Sequence, residues 1–489
     1  MTNLIDDDEI VPQLVSKISA LNLSAEKTQV LAMHLKMALN GDVSASGVIT
    51  QLESRLDSLS ISDDLREYIL LIVVMSLIEK NRIVSVDTLT DLDVDISPGS
   101  IFFIRDENAP FIKKSNGDWV RLVKEKPKTN AYAWGAFRFY KGTGSGLDTS
   151  SPVSILGGFT DWIEVSTTVT NTHGLRANGT AWSWGFNGNG RLGDGTEIVR
   201  ISPVLIAGGF TDWISVKAGF AFGVGLRANG TVWSWGSNGN GRLGDGTTTD
   251  RSSPVSVLGG FTDWVQISVG LRHTLGIRTN GTIWSWGQNT DGRVGDNSTT
   301  DKSSPVSVVG GFTDWIQVSA GQDHSAGIRS NGTAWVWGNN ANGKLGTNNT
   351  TNRSSPVSVV GGFIDWISMS AGGGHTLGLR SNGTAWAWGW NGEGRLGDGT
   401  TTQRSSPVLV SGGFTDWVYV SAGNSSHGIR ANGTLWSWGR NEIGALGDGT
   451  TTNRSSPVSV IGGFTDWILV ETSYATADMH VQAIRASSE

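Results

Sequence analysis

The sequence predicts a mainly β protein: a seven-bladed β-propeller with shared-blade closure, preceded by an α-helical N-terminal region and a small β unit. Three observations carry that prediction. The tryptophan of F-(T/I)-D-W recurs seven times, at Trp162, Trp213, Trp264, Trp315, Trp366, Trp417 and Trp467, in five steps of 51 residues and one of 50. A second series of seven, in the W-G pair, runs through Trp134, Trp184, Trp235, Trp286, Trp337, Trp388 and Trp438. The first and last units are each incomplete, and each carries what the other lacks.

One unit reads SSPVSVVGGFTDWIQVSAGQDHSAGIRSNGTAWVWGNNANGKLGTNNTTNR. WIQVSAG alternates apolar and polar residues, as a strand with one buried face does. HSAGIRS and TAWVWG flank Asn331-Gly332, a strong short-range hairpin signal because both residues tolerate positive φ. A looser Gly/Asn/Thr stretch leads to the short S-P-V-S-V strand. Four short strands in about 50 residues correspond to one propeller blade. Paired aromatics such as Trp182 and Trp184 share a strand face and, with F-T-D-W, can fill the wedge between neighbouring blades.

The ends decide between an open array and a ring. AYAWG at 131–135 supplies a W-G strand without the two strands that should precede it. WILVETSYATADMHVQAIRASSE supplies those two and stops before a W-G strand. Building one blade from both termini closes the ring and removes exposed sheet edges.

Composition sets the remaining bounds. Of 67 Gly and 22 Trp, only four Gly and one Trp precede residue 130, so the chain has at least two domains. Residues 1–130 carry 20 acids and 14 bases, and the rest 24 and 23. A nearly neutral propeller lacks the basic footprint of non-specific nucleic-acid binding. The chain has no Cys, hence no disulfide framework. Its acidic start, MTNLIDDDEI, does not read as a secretory signal, and the longest apolar stretch, 68–78, is too short to span a bilayer.

The pattern V-x-A-G-x-x-H-(S/T)-x-G-(L/I)-R-x-N-G-T-x-W-x-W-G-x-N-x-x-G-x-L-G resembles the repeat of the regulator-of-chromosome-condensation family across 131–489. The resemblance implies a seven-bladed propeller with shared-blade closure. It also implies a range of functions. The eukaryotic founder is a nucleotide-exchange factor for a small GTPase, acting through an inserted wedge that has no counterpart here. Similar propellers include a secreted bacterial inhibitor of β-lactamase, and a fold alone does not name a function.

Several repeated polar registers have a structural reading. Six histidines (His173, His273, His324, His375, His427, His480) are spread over separate blades and read as strand packing. Seven arginines (Arg176, Arg227, Arg278, Arg329, Arg380, Arg430, Arg485) and seven aspartates (Asp161, Asp212, Asp263, Asp314, Asp365, Asp416, Asp466) read as one Asp–Arg contact per blade. The sharper alternative is an arginine ring for an anion. Asp194, Asp245, Asp398 and Asp448, in L-G-D-G-T, read as loop turns and lack calcium-loop spacing. N-G-T sequons read as hairpin turns. A side chain copied seven times is scaffold, because catalysis needs one asymmetric constellation. No catalytic residue, metal ligand or cofactor is therefore expected.

Recognition is expected where the repeat breaks. The residue after W-G varies through Phe186, Gln288, Asn339, Trp390 and Arg440. Phe220 and Phe222 replace the usual residues in the segment before the second strand, and the entering strand adds Phe137 and Tyr140. Aromatic and Arg residues are common interface anchors.

Residues 1–86 show helical spacing at 11–21, 25–40 and 63–80, with Ser24 and Ser62 as N-caps and Gly41 as a stop. The third segment is apolar nearly all round and suits burial in an oligomer. Residues 87–128 read as a small β module and linker, similar to modules of bacteriophage tail fibres, with the propeller from 129. The layout suggests a non-enzymatic virion component. Residues 1–125 would bind other virion proteins, and the propeller would bind a host surface protein or glycan, without nucleic acid or membrane insertion. The alternative expectation is a cytoplasmic or secreted protein–protein regulator or inhibitor.

Overall fold

A computed structural model describes residues 128–135, 142–143, 149–473 and 480–486, together with four N-terminal strands. The chain divides into two units, 1–126 and 127–489. In the first, Val84–Val86 pairs parallel with Ile101–Ile104, which pairs antiparallel with Ala109–Lys113, and that with Trp119–Arg121. The small β unit thus takes in Val84–Val86, which the sequence reading placed at the end of the helical region. The three segments expected as helices lie outside the described residues.

The second unit is seven four-stranded antiparallel sheets. Blades 1 to 6 span 162–205, 213–256, 264–307, 315–358, 366–409 and 417–459. Blade 7 is built from both ends: Trp467–Thr472, His480–Ala486, Thr129–Gly135 and Thr149–Ser154. Its seam pairs seven residues in unbroken register, from His480 with Gly135 to Ala486 with Thr129. The first strands pack against one another in a complete cycle around the axis. The seven-blade count and the closure both stand.

Blades lean on each other through tryptophan. All seven W-G tryptophans are fully buried. Trp235 Nε1 donates to the Arg191 carbonyl of the preceding blade at 3.1 Å, and Trp286 to that of Arg242 at 3.1 Å. Six of the seven F-T-D-W tryptophans meet their W-G partners edge to face, as Trp264 meets Trp286 with centroids 5.9 Å apart, and Trp417 meets Trp438 tilted. The glycine of G-(I/L)-R leaves room for that ring: a Cβ on Gly276 would lie 2.6 Å from Trp264 Cζ3. Near the axis, backbone amides reach back across each seam. Ala218 N–H donates to Ser166 Oγ at 3.0 Å, Ala320 N–H to Ser268 Oγ and Ala371 N–H to Ser319 Oγ, both at 2.9 Å.

The N-G hairpins differ from the expected two-residue turn. Arg278 N–H donates to Thr282 O and Gly281 N–H to Arg278 O, closing a three-residue loop in which glycine has φ +71° and Asn280 keeps negative φ. The asparagine is used through its side chain: Asn280 Oδ1 accepts from Thr282 N–H and Oγ1–H.

Chain direction gives the ring two unlike faces. One carries the N-G turns and the F-T-D-W connectors. The other carries the turns between first and second strands and the long loops after W-G.

A candidate binding face at the ends of the W-G strands

The residue after W-G is tied to the turn between the first two strands of its own blade. Phe186 N–H donates to Thr170 O, Ser237 to Ala221 O, Gln288 to Arg272 O, Asn339 to Asp323 O and Trp390 to Gly374 O, all at 2.7–2.9 Å. Two registers that vary in sequence therefore meet side by side on one face in blades 1 to 5. A buried asparagine in the loop after W-G fixes the platform in blades 1 to 6. Asn238 donates to Asp245 and to the Thr247 carbonyl, while its Oδ1 accepts from Leu243 N–H. Asn187, Asn289, Asn391 and Asn441 repeat this.

Phe186, Phe220, Gln288, Asn339, Trp390 and Arg440 are partly exposed on this face. Arg440 pairs with Glu442 at 2.7 Å, and Gln288 accepts from Arg293 at 3.3 Å. Phe222 is a correction: it is fully buried, and it stands where His273, His324 and His375 begin their second strands. That position points into the packed turn, where a Cβ on Gly219 would lie 2.0 Å from the Phe222 ring. Phe137 and Tyr140 lie outside the described residues.

Sequence reasoning missed what lies beneath. Arg191, Arg242, Arg293, Lys344 and Arg395 form a register of buried cations, one in each of blades 1 to 5, replaced by Ala445 in blade 6. Their signal was the recurring G-(R/K)-(L/V)-G, which gives no hint of burial. Arg395 stacks 3.8 Å over Trp390, donates to the Asn424 carbonyl and side chain, and pairs with Glu393. Arg191 lies 4.8 Å from the Phe186 ring. Lys344 pairs with Asp323 at 2.6 Å. Burial lowers the guanidinium of Arg242, and likewise that of Arg395, to about 10. These cations brace the aromatic and polar residues of the face from behind.

The Asp and Arg registers meet in all seven blades, with Nε–carboxylate distances of 2.7–2.8 Å. Each guanidinium also lies 3.4–4.1 Å over the phenylalanine of its own connector. Carboxylate and aromatic partners occupy them, so the anion-ring alternative falls. The L-G-D-G-T aspartates cap turns and pair with a later cation, as Asp245 does with Arg251 at 3.1 Å.

The histidines fall in two registers, not one. His273, His324 and His375 open second strands, and their Nε2 atoms meet Ser325, Thr376 and Ser426 of the next blade at 2.7–2.9 Å. Ser325 Oγ donates onward to Arg293 O, so Nε2–H is the donor to it. His173 and His427 sit two residues further along their strands. Burial keeps all five well below their ordinary range.

The axis holds a polar cavity of about 170 Å³ lined by first strands. Ser and Gln supply most of its polar lining. Lys217 breaks the pattern, pairing with Glu164 at 2.6 Å, while Tyr419 donates to Glu471 at 3.3 Å. Burial opposes charge on Lys217, but Glu164 and Glu471 outweigh it and raise its ammonium above the ordinary value. Burial likewise pushes the Glu471 carboxyl up. Among the described residues, no three acidic or histidine side chains converge as a metal site would require, and no helix is long and apolar enough to cross a membrane.

A closed ring of seven four-stranded sheets, joined by a blade built from both ends, defines a seven-bladed propeller. Residues 119–480 match the family described as RCC1-like domain, and the chain belongs to it. It is 30% identical over 235 residues to the ultraviolet-B receptor UVR8 of Arabidopsis thaliana, covering 47% of this chain and 53% of that one. The chain thus spans about half the length of that relative. Among solved structures, human WBSCR16 superposes with a TM-score of 0.65 at 20% identity, over 73% of this chain and all of that one. Prp20p of Saccharomyces cerevisiae gives 0.65 at 19%, over 75% and 93%; that work reports its binding to Gsp1p and histones. These likenesses at low identity show the fold.

Proposed function

We propose that the chain is a protein–protein regulator that grips its partner with the W-G face. One observation carries this reading. Side chains that hold the ring together are copied from blade to blade, whereas two registers that differ between blades meet on one face above buried cations. Phe186 and Trp390 supply aromatic anchors with pre-set orientation, and Arg440 a charged one, the side-chain types that dominate interface energies. The similarity to Prp20p, a propeller reported to bind proteins, supports it. The virion-appendage reading rests only on the order of attachment region, β unit and propeller, and none of the relatives supports it.

The test uses the full chain immobilised against lysate of its source cells, beside a Phe186→Ala/Trp390→Ala/Arg440→Glu variant. Proteins retained by the wild type should be lost at least tenfold from the variant at a temperature well below the melting transition of both. Equal retention by both would place binding elsewhere.

A further inference from the structure

The opposite face carries a feature that partner binding at W-G does not use. In every blade the first strand bulges directly after its tryptophan: Trp213 pairs with Arg227 and Ser215 with Leu226, leaving Ile214 unpaired. The same shift recurs in the other six blades. A bulge re-aims one side chain out of the ladder. The seven bulge residues are Ile163, Ile214, Val265, Ile316, Ile367, Val418 and Ile468, and all are 45–57% exposed.

Their place in the ring is set by the fold. They begin the innermost strands, on the N-G side, where Trp213 N–H donates to Gly179 O of the preceding hairpin. They therefore encircle that mouth of the axial channel. Ile364, at 70% exposure in the connector of blade 5, widens the annulus.

Strand propensity alone does not account for this register, since Thr or Tyr would serve as well. The neighbouring register, two residues after the tryptophan, holds Glu164, Ser215, Gln266, Gln317, Ser368, Tyr419 and Leu469. Within one chain, then, the buried-side constraint relaxes at one position, while the exposed bulge stays aliphatic in all seven copies.

We propose that this annulus is a self-association surface that docks a second copy of the chain, ring to ring. Seven half-exposed aliphatic side chains present roughly 600 Å² of apolar surface, the upper end of what a monomer leaves open and close to the ~800 Å² per partner of a standard interface. The surround suits a second copy. Every F-T-D-W aspartate beside the annulus is neutralised by its own arginine at 2.7–2.8 Å, so two such faces meet without like-charge repulsion. The near-sevenfold repeat sets aliphatic against aliphatic at many rotations about the axis, which makes the surface complementary to itself.

The experiment is sedimentation velocity on the full chain, wild type beside Ile214→Asp/Ile316→Asp/Val418→Asp. These sites lie in alternate blades and are exposed, and far-UV circular dichroism with a melting curve checks the fold. The expected result is a wild-type assembly whose mass halves in the variant, while Trp390→Ala/Arg440→Glu on the W-G face leaves it unchanged. A monomeric wild type, or a mass unmoved by the aspartates, overturns the proposal. Should the aspartate variant misfold, Ile214→Thr/Ile316→Thr/Val418→Thr keeps β-branching. It should weaken self-association at least tenfold, and an unchanged dissociation constant overturns the proposal equally. Loss of partner binding through Phe186, Trp390 and Arg440 is read separately, so either proposal can fail alone.

Discussion

Arg395 lies 3.8 Å above the indole of Trp390, fully buried beneath a partly exposed ring. The pair joins the two kinds of residue in this fold: one that holds the loop and one that faces the solvent. The roles should separate on mutation. Arg395→Ala strands Glu393 and the Asn424 side chain and removes the support of the ring. It should cost about 3 kcal/mol of stability, as loss of one partner from a buried charge network does. Trp390→Ala should cost ~1 kcal/mol and act mainly on binding. Thermal or urea unfolding of both variants checks the ordering, and equal losses would refute it.

Glycines of one sequence type should respond unequally. Gly281 has φ +71°, and a Cβ there would lie 2.1 Å from Thr313 O in the next connector; Gly311 has φ +67° and open space around it. Gly311→Ala should therefore cost only the left-handed backbone term, about 1–2 kcal/mol. Gly281→Ala adds a clash with backbone and should cost at least twice that. Comparable melting temperatures would show that the N-G turn is not wedged against its neighbour.

The Asp–Arg–Phe unit should be worth little in charge alone. Arg278 bonds Asp263 at 2.8 Å near the surface and lies 4.0 Å over Phe261. A double-mutant cycle of Arg278→Ala with Asp263→Ala should give a coupling of about 1 kcal/mol. A coupling near zero would leave the stack on Phe261 as the only reason for the arginine.

Stability should fall with acid in two stages. Burial lowers His173 from 6.5 to about 4, and His375 and His427 to about 3. The unfolded chain therefore takes up protons that the folded chain refuses, and stability drops as pH falls below 6.5. The second stage belongs to carboxylates held below their ordinary range. Asp263 and Asp314 are lowered by the arginine hydrogen bond. For Asp194, Asp245, Asp296, Asp398 and Asp448, burial raises the carboxyl but bonds from Thr or Ser and a basic partner prevail. Their stability is present above about pH 4 and lost below it. A melting temperature flat from pH 7 to 5 would contradict the histidine stage.

Much of the ring was legible because it rests on repetition. The spacing of Trp162 through Trp467 gave the blade number, and AYAWG against WILVET gave the closure. The pairing of Arg278 with Asp263 could be expected from matched registers. What sequence could not show was which registers meet in space. Arg191 and Arg395 look like loop cations until the fold buries them under Phe186 and Trp390. Phe222 looks like a break in an exposed loop until strand pairing places it in a histidine slot. His173 and His273 look equivalent until the ladder separates them by two residues. Lys217 gains meaning only when Glu164 and Glu471 arrive from blades 1 and 7.

The central claim is that recognition sits on the W-G face. Photo-cross-linking tests it most directly, with a benzophenone amino acid placed singly at 186, 390 and 440, and at 178, 280 and 382 in the N-G turns. The first three positions should capture one heterologous protein partner, and the last three should capture no protein other than a second copy of the chain. Capture of the heterologous partner from the N-G turns alone would contradict the account.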